Sequence, residues 1–221
     1  MKKKLRIVIS AGPTREPLDP VRFISNYSTG TLGITLARLA SKMGHEVVLV
    51  HGPIEIPKDL KVRRVKFESV LDLMTALRRE VPRCDVLYMV AAVSDFKPLV
   101  ASQFKIKKGG RFLNISLVQN PDVLKSLRRF KKNKTYVGFS LESKHLYKHS
   151  YQKLREKDLD LIVAQHVDEE TRPFGPVRIG ATVIDSAGRR SVFKKISKIK
   201  LARYLVRRVN ALRVAPGRRA V

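Results

Sequence analysis

The stretch Ile7 to Gly33, IVISAGPTREPLDPVRFISNYSTGTLG, gathers side chains suited to an anionic substrate: Arg15, Asp19, Arg22, Asn26 and Ser28, followed by Gly30 and Gly33. Guanidinium, amide and hydroxyl groups donate to phosphate or carboxylate oxygens, and a helix start adds free N–H groups and partial positive charge. Further on, Ala91-Ala92-Val93-Ser94-Asp95 puts small residues before a carboxylate that can hold a ribose, a base or Mg²⁺, or can be an ordinary turn residue. Lys105-Ile106-Lys107-Lys108 precedes Gly109-Gly110, and alone it reads equally as a lysine-decorated sheet edge. Lys153 and Lys157 stand four apart on one helix face, where like charges repel unless solvent or an anion separates them. His145 and His149 share that spacing, but with no glutamate placed as ligand or base a metal site is disfavoured.

The apolar periodicity supplies a frame for these groups. Leu5, Ile7, Val8 and Ile9 read as a buried parallel strand that breaks off at Ala11-Gly12-Pro13. A long polar loop follows, and Ser28-Thr29-Gly30 opens a helix with Leu32, Leu36, Leu39, Ala40 and Met43 on one face. Strands are predicted at Glu46 to Val50, Val62 to Val65, Val86 to Val90, Tyr136 to Ser140 and Leu161 to Ala164. Amphipathic helices fall over Val70 to Val81, Lys144 to Lys157 and Ile199 to Leu212. Asn120 is the expected cap of a helix with Pro121 in its first turn, and Phe104 to Val118 the expected flap hairpin. A late hairpin joins Ala181 to Asp185 with Val192 to Lys195. The alternation predicts an α/β fold: a Rossmann-like, mainly parallel sheet with helices on both faces, one domain over 1–213 and a basic tail over 214–221.

Composition narrows the classes. The chain has 221 residues and is 43% hydrophobic, enough for a proper core. It has no run of about 18 apolar residues and no signal-peptide core after Met1-Lys2-Lys3-Lys4, so a cytoplasmic protein without a membrane segment is expected. The single cysteine, Cys84, lies beside an apolar strand and reads as structural. With 46 Lys+Arg against 19 Asp+Glu the net charge is +27, which invites a polyanionic partner. The basic residues are spread over every segment, and no stacking platform or nucleic-acid motif accompanies them, so a generally basic surface is the simpler reading. A nicotinamide site is disfavoured: the first turn is Ala-Gly-Pro-Thr, strand two closes in Val-Leu-Val-His51, and none of the six tyrosines has Lys four residues on. Without a Gly-x-x-x-x-Gly-Lys-Ser/Thr motif, any triphosphate is held without a Walker loop.

Ala11 to Asn26, Ala-Gly-Pro-Thr-Arg-Glu-Pro-Leu-Asp-Pro-Val-Arg-Phe-Ile-Ser-Asn, closely resembles the opening of the phosphopantothenoylcysteine synthetase family of coenzyme A synthesis. The resemblance runs from about Ile7 to about Ala211, with further motifs in the family's order. The chain departs from it at Thr31, where the family has Lys, and at Gln165, where it has Asn. The resemblance implies nucleotide contacts from Gly12, from Ala91 and Asp95, and from the helix start Pro121-Asp122-Val123-Leu124. It further implies Phe139 packed on the base, Lys153 and Lys157 on the nucleotide, and Lys105 on a mobile flap reaching the phosphates. Substrate contacts fall to Arg22, Asn26, Ser28 and Gly30, and catalysis to Asn26, Lys105 and Arg22, with Asp95 the candidate metal ligand. By the same resemblance the reaction joins 4′-phosphopantothenate to L-cysteine through an acyl-nucleotidylate, with Mg²⁺ and CTP rather than ATP, in a homodimer. Since the chain begins at the first synthetase strand, a stand-alone synthetase without flavin is expected. The alternative is a basic nucleotide- or RNA-binding α/β module without ligase activity, motivated by the charge.

Overall fold

The computed structural model of the protein describes residues 4–168 and 173–214. The chain runs β1 (Arg6–Ala11), β2 (Arg15–Pro17), β3 (Phe23–Ser25), α1 (Thr31–Lys42), β4 (Glu46–His51), β5 (Arg63–Lys66), α2 (Val70–Glu80), β6 (Val86–Met89), β7 (Phe96–Pro98), β8 (Leu117–Gln119), α3 (Val123–Leu127), β9 (Thr135–Glu142), α4 (Leu146–Glu156), β10 (Leu161–His166), β11 (Arg178–Asp185), β12 (Arg190–Ser197) and α5 (Lys198–Val214). The main sheet has the order β12-β11-β10-β9-β6-β1-β4-β5. From β5 to β10 all pairings are parallel, whereas β11 and β12 add an antiparallel hairpin at one edge.

The fold is thus α/β and Rossmann-like. Its parallel part reads 3-2-1-4-5-6 when numbered within the sheet, the doubly wound order. Central strands of such a sheet are covered on both faces, which is why they read as continuous apolar runs. In β1, Ile7, Ile9 and Ala11 join the core under α1 and α5, while Val8 joins the opposite core under α2, α3 and α4. Phe139 and Gln165 follow the parity of Val137 and Val163 and so face the α1/α5 side.

Several boundaries differ from the sequence reading. The polar loop after β1 contains the small hairpin β2–β3, held to the start of α2 by buried Glu16, whose Oε1 accepts from Val70 N at 2.9 Å. On α1 the buried stripe is Leu32, Gly33, Leu36, Ala37 and Ala40, and Met43 lies past the helix end. The flap ladder is shorter than Phe104 to Val118: only Phe96–Pro98 and Leu117–Gln119 pair, because the segment between them has no second face to bury its alternating residues against. The cap of α3 is Asp122, whose Oδ1 accepts from Lys125 N at 3.0 Å, so the helix starts after Pro121 and not at it. Asn120 instead is buried and donates Nδ2 to Ser94 O at 3.0 Å. Val214 ends α5, and the rest of the expected tail, 215–221, lies outside the described residues. Buried Cys84 has its thiol pushed up to about 12 by desolvation, which fits an inert structural role.

Candidate functional site

The strand order reverses between β1 and β6, so the chain leaves these neighbours toward opposite faces and a crevice opens beyond their carboxyl ends. The crevice floor is stitched before any ligand arrives. Ala92 N donates to Gly12 O (3.0 Å), and Thr14 N returns to Ala92 O (3.1 Å). Thr14 Oγ1 accepts from Ser94 N at 3.0 Å, and buried Ser10 Oγ accepts from both Val90 N (3.0 Å) and Ala91 N (3.1 Å). Gly12 belongs to this floor, not to the open wall. Two loops locked this way hold whatever they carry at small positional error, a precondition for catalysis by positioning.

Above the floor lies a cleft of about 520 Å³ whose wall includes Asn26, Ser28, Gly30, Ala91, Asp95, Pro121 to Leu124, Phe139, Lys153 and Lys157. These are twelve of the residues expected from the sequence, delivered by five separate segments. Asn26 Nδ2 donates to Ala92 O at 3.1 Å, which fixes its amide plane across the switch point. Gly30 caps α1 at φ +72, in the left-handed region, and a Cβ there would stand 2.2 Å from Ile54 Cδ1, so glycine suits the turn that brings the helix start at Thr31 and Leu32 to the cleft. Across the cleft, Asp122 caps α3 with one carboxylate oxygen and contacts Lys157 Nζ with the other. Burial holds the Lys153 ammonium below the ordinary lysine range against the pull of Glu142 and Asp95. A half-buried lysine whose desolvation outweighs its neighbouring carboxylates gains from a bound anion, so this wall suits phosphates.

Arg22 and Lys105 stand outside that wall. Arg22 grips Asp19, with Nε donating to Oδ2 at 2.9 Å, and its Nη2 donates to Ile106 O at 2.7 Å. Ile106 N in turn donates to Asp19 Oδ2 at 3.1 Å, and Ser102 N to Leu18 O at 2.9 Å. Exposed Lys105 is therefore bracketed by two anchors on the β2–β3 turn. The Arg22 guanidinium beside Asp19 holds that carboxyl well below the usual carboxylate range. The anchor is accordingly in place above an ordinary aspartate value of about 4 and is lost only as the pH falls through the depressed folded value. Amide exchange at Ile106 should stay slow down to pH 4 in the wild-type protein and become fast at neutral pH in Asp19→Asn.

Sequence reasoning did not find three other wall residues. Lys198, 8% exposed at the start of α5, donates Nζ to Pro173 O (2.8 Å) and Gly175 O (2.5 Å), and burial pushes it down to about 8. Phe174 sits against Tyr27, ring centroids 6.0 Å apart. Gln165, noted only as a departure, lines the cleft with its buried Nε2 unpaired among the described residues. Its place at the carboxyl end of a parallel strand was the available signal. Among the described residues no group of three or more His, Cys, Asp or Glu side chains forms a metal cage. No helix among them is long and apolar enough to cross a membrane.

Fold and cleft together define a Rossmann-like α/β protein with a cleft lined by lysines, an amide and a helix start at its switch point. Residues 2–212 match the DNA/pantothenate metabolism flavoprotein C-terminal domain, and the chain belongs to that family. It is 39% identical over 176 residues to the coenzyme A biosynthesis bifunctional protein CoaBC of Escherichia coli K12, covering 78% of this chain and 43% of that protein. It is 37% identical over 209 residues to a prokaryotic protein named cysteine/cysteine sulfinic acid decarboxylase, covering 94% of this chain and 58% of that one. The chain thus spans about half the length of the curated relatives it matches. Among solved structures, the C-terminal domain of CoaBC superposes with a TM-score of 0.79 at 31% identity, covering 96% of each chain.

Proposed function

We propose that the protein is a phosphopantothenate–cysteine ligase of coenzyme A biosynthesis. The observation that carries this reading is the convergence of Asn26, Asp95, Asp122, Phe139, Lys153 and Lys157 on one switch-point cleft. A relative of known structure that shares the whole fold is the C-terminal domain of a coenzyme A biosynthesis protein, which supports the assignment.

In this reading the 4′-phosphopantothenate carboxylate attacks the α-phosphorus of a nucleoside triphosphate and pyrophosphate leaves. The cysteine amine then attacks the acyl carbon, the nucleoside monophosphate leaves, and the amine proton goes to solvent. Both steps gather negative charge on oxygen, so fixed donors aimed at those oxygens do most of the work. Lys153 and Lys157 face the phosphates from α4, Lys105 approaches from the flap, and Arg22 holds that flap through Ile106. Asn26 orients the acyl group beside the start of α1. Asp95 is one exposed carboxylate on the wall, which fits Mg²⁺ held chiefly by the nucleotide's phosphates, as is usual for that ion. There Mg²⁺ would neutralise phosphate charge.

CTP is the proposed nucleotide: Met89 to Ala92 and Phe139 line the part of the cleft assigned to the base, and a pyrimidine is expected to fit there better than a purine. Pyrophosphate release with both substrates, measured with each triphosphate in turn, tests both points. It should be rapid with CTP and at least tenfold slower with ATP at equal concentration. Nil release with every triphosphate, joined to tight, steeply salt-dependent binding of a mixed oligonucleotide, would favour the RNA-binding alternative.

Assembly as a homodimer belongs to the same proposal. Leu99, Val100, Phe104, Phe112 and Leu113 on the flap segment are each more than half exposed, an apolar patch that a second copy would cover. Light scattering at micromolar concentration should show twice the 25.1 kDa chain mass. A fully active species of the single-chain mass counts against it.

A further inference from the structure

Lys198 is more than nine-tenths buried, yet among the described residues no carboxylate pairs with it. Burying an ammonium is costly unless its donors are satisfied, so the groups this one reaches are under tight positional demand. What it does contact is informative. Its Nζ reaches the carbonyls of Pro173 and Gly175 on either side of Phe174, and Gly175 N donates to Thr29 Oγ1 at 3.2 Å. Phe174 packs against Tyr27, the residue after Asn26. Lys198, the 173–175 segment and the Tyr27–Gly30 turn therefore form one continuous latch across the α1 side of the cleft, and all three line it.

We infer that Lys198 is a positioning residue that holds the 173–175 segment onto the Tyr27–Gly30 turn and thereby keeps water from the activated acyl group. The second part rests on the ligase reading above. An acyl-nucleotidylate waiting for an amine is open to water: the water oxygen bonds to the acyl carbon, the bond from that carbon to the nucleotide's phosphate oxygen breaks, the nucleoside monophosphate leaves, and the water protons pass to solvent. Such a turn consumes triphosphate and regenerates the free acid. Excluding water is a recognised duty of segments that cover reactive intermediates.

Two measurements separate the parts. In the free protein, amide exchange of a peptide containing Gly175 should speed up at least tenfold in Lys198→Met. Exposed Thr29→Val, which tests the same latch from the other side without disturbing the core, should do likewise. Lys198→Arg should keep the protection, since a guanidinium stays charged and offers several donors. Unchanged protection in both Lys198→Met and Thr29→Val overturns the latch. In turnover, pyrophosphate released per amide formed should stay near one in the wild-type protein and in Lys198→Arg and rise severalfold in Lys198→Met. The same ratio should rise in wild type as the pH passes about 8, where the ammonium is lost, but not in Lys198→Arg. A ratio that stays near one in Lys198→Met overturns the water-excluding role. If wild type releases no pyrophosphate at all, the ligase reading fails, and the exchange result still decides the latch.

Discussion

Lys105→Gln is expected to release almost no pyrophosphate, whereas Asn26→Asp should release a single equivalent and then stall with acyl-nucleotidylate bound. The two residues reach the cleft by different routes. Lys105 sits exposed on the flap segment between the Ser102 and Ile106 anchors, where it can meet an incoming triphosphate. Losing one charged donor to the developing phosphate charge costs roughly 2–4 kcal/mol of transition-state stabilisation if it acts like an oxyanion-hole donor, a factor of about 30 to 10³ in the first step. Asn26 is fixed by its Nδ2 bond to Ala92 O, beside the turn that leads into α1. Aspartate in its place keeps the shape but sets a carboxylate against the Ala92 carbonyl, so the side chain must turn away and its donor is lost. If Asn26 chiefly steadies the acyl carbonyl during amine attack, intermediate formation survives and product formation does not. Quench-flow with labelled nucleotide reads both quantities. Stalling of both variants before pyrophosphate release, or free release by both, would show the roles misassigned.

The Arg22 contacts show which parts of this site the sequence could reveal. A guanidinium in a polar loop was read as a substrate ligand, because residue type tells what a group can bind but not what has already bound it. In the fold Asp19 lies three residues back and claims it, and Ile106 from the distant flap completes the set. The parallel strands were legible because burial on both faces makes them apolar without interruption. Ala91 to Asp95 stood out by their small residues at a strand's carboxyl end, whereas Phe139, inside β9, was singled out only by the family resemblance. Lys198 was not legible. Its burial follows from the antiparallel hairpin β11–β12, which brings the start of α5 to the cleft, and the local pattern there is that of an ordinary basic helix start. The shift of the α3 cap from Asn120 to Asp122 has a similar origin. Either side chain can cap, and Pro121 biases the residue before it toward extended backbone; the contact of Asn120 with Ser94 across the crevice then decides between them.

Gly33→Ala should lower both stability and substrate affinity, although alanine is the better helix former by about 1 kcal/mol. Gly33 lies in the first turn of α1, where that helix crosses the end of β1. A Cβ built there would stand 2.5 Å from Ala11 Cβ, 3.2 Å from Ala11 Cα and 3.2 Å from Ser10 O. None of those atoms can rotate away: two are backbone and the third is fixed to it. The helix must therefore lift from the strand, and overpacking of this kind costs typically 1–3 kcal/mol, more than the propensity gain. The lift also moves Gly30 and the first free N–H groups of α1 away from Asn26, whose own anchor on Ala92 stays with the floor. A site assembled from two loops loses affinity when one moves and the other does not. Gly44 supplies the comparison, since nothing lies within 4 Å of a Cβ there and its φ is +85. Gly44→Ala should cost about 1 kcal/mol from the left-handed backbone alone and leave substrate affinity unchanged. Thermal melts together with substrate titrations should thus show Gly33→Ala losing on both axes and Gly44→Ala on one; a Gly33→Ala protein that melts at or above the wild-type temperature would mean that the helix and strand can part without strain.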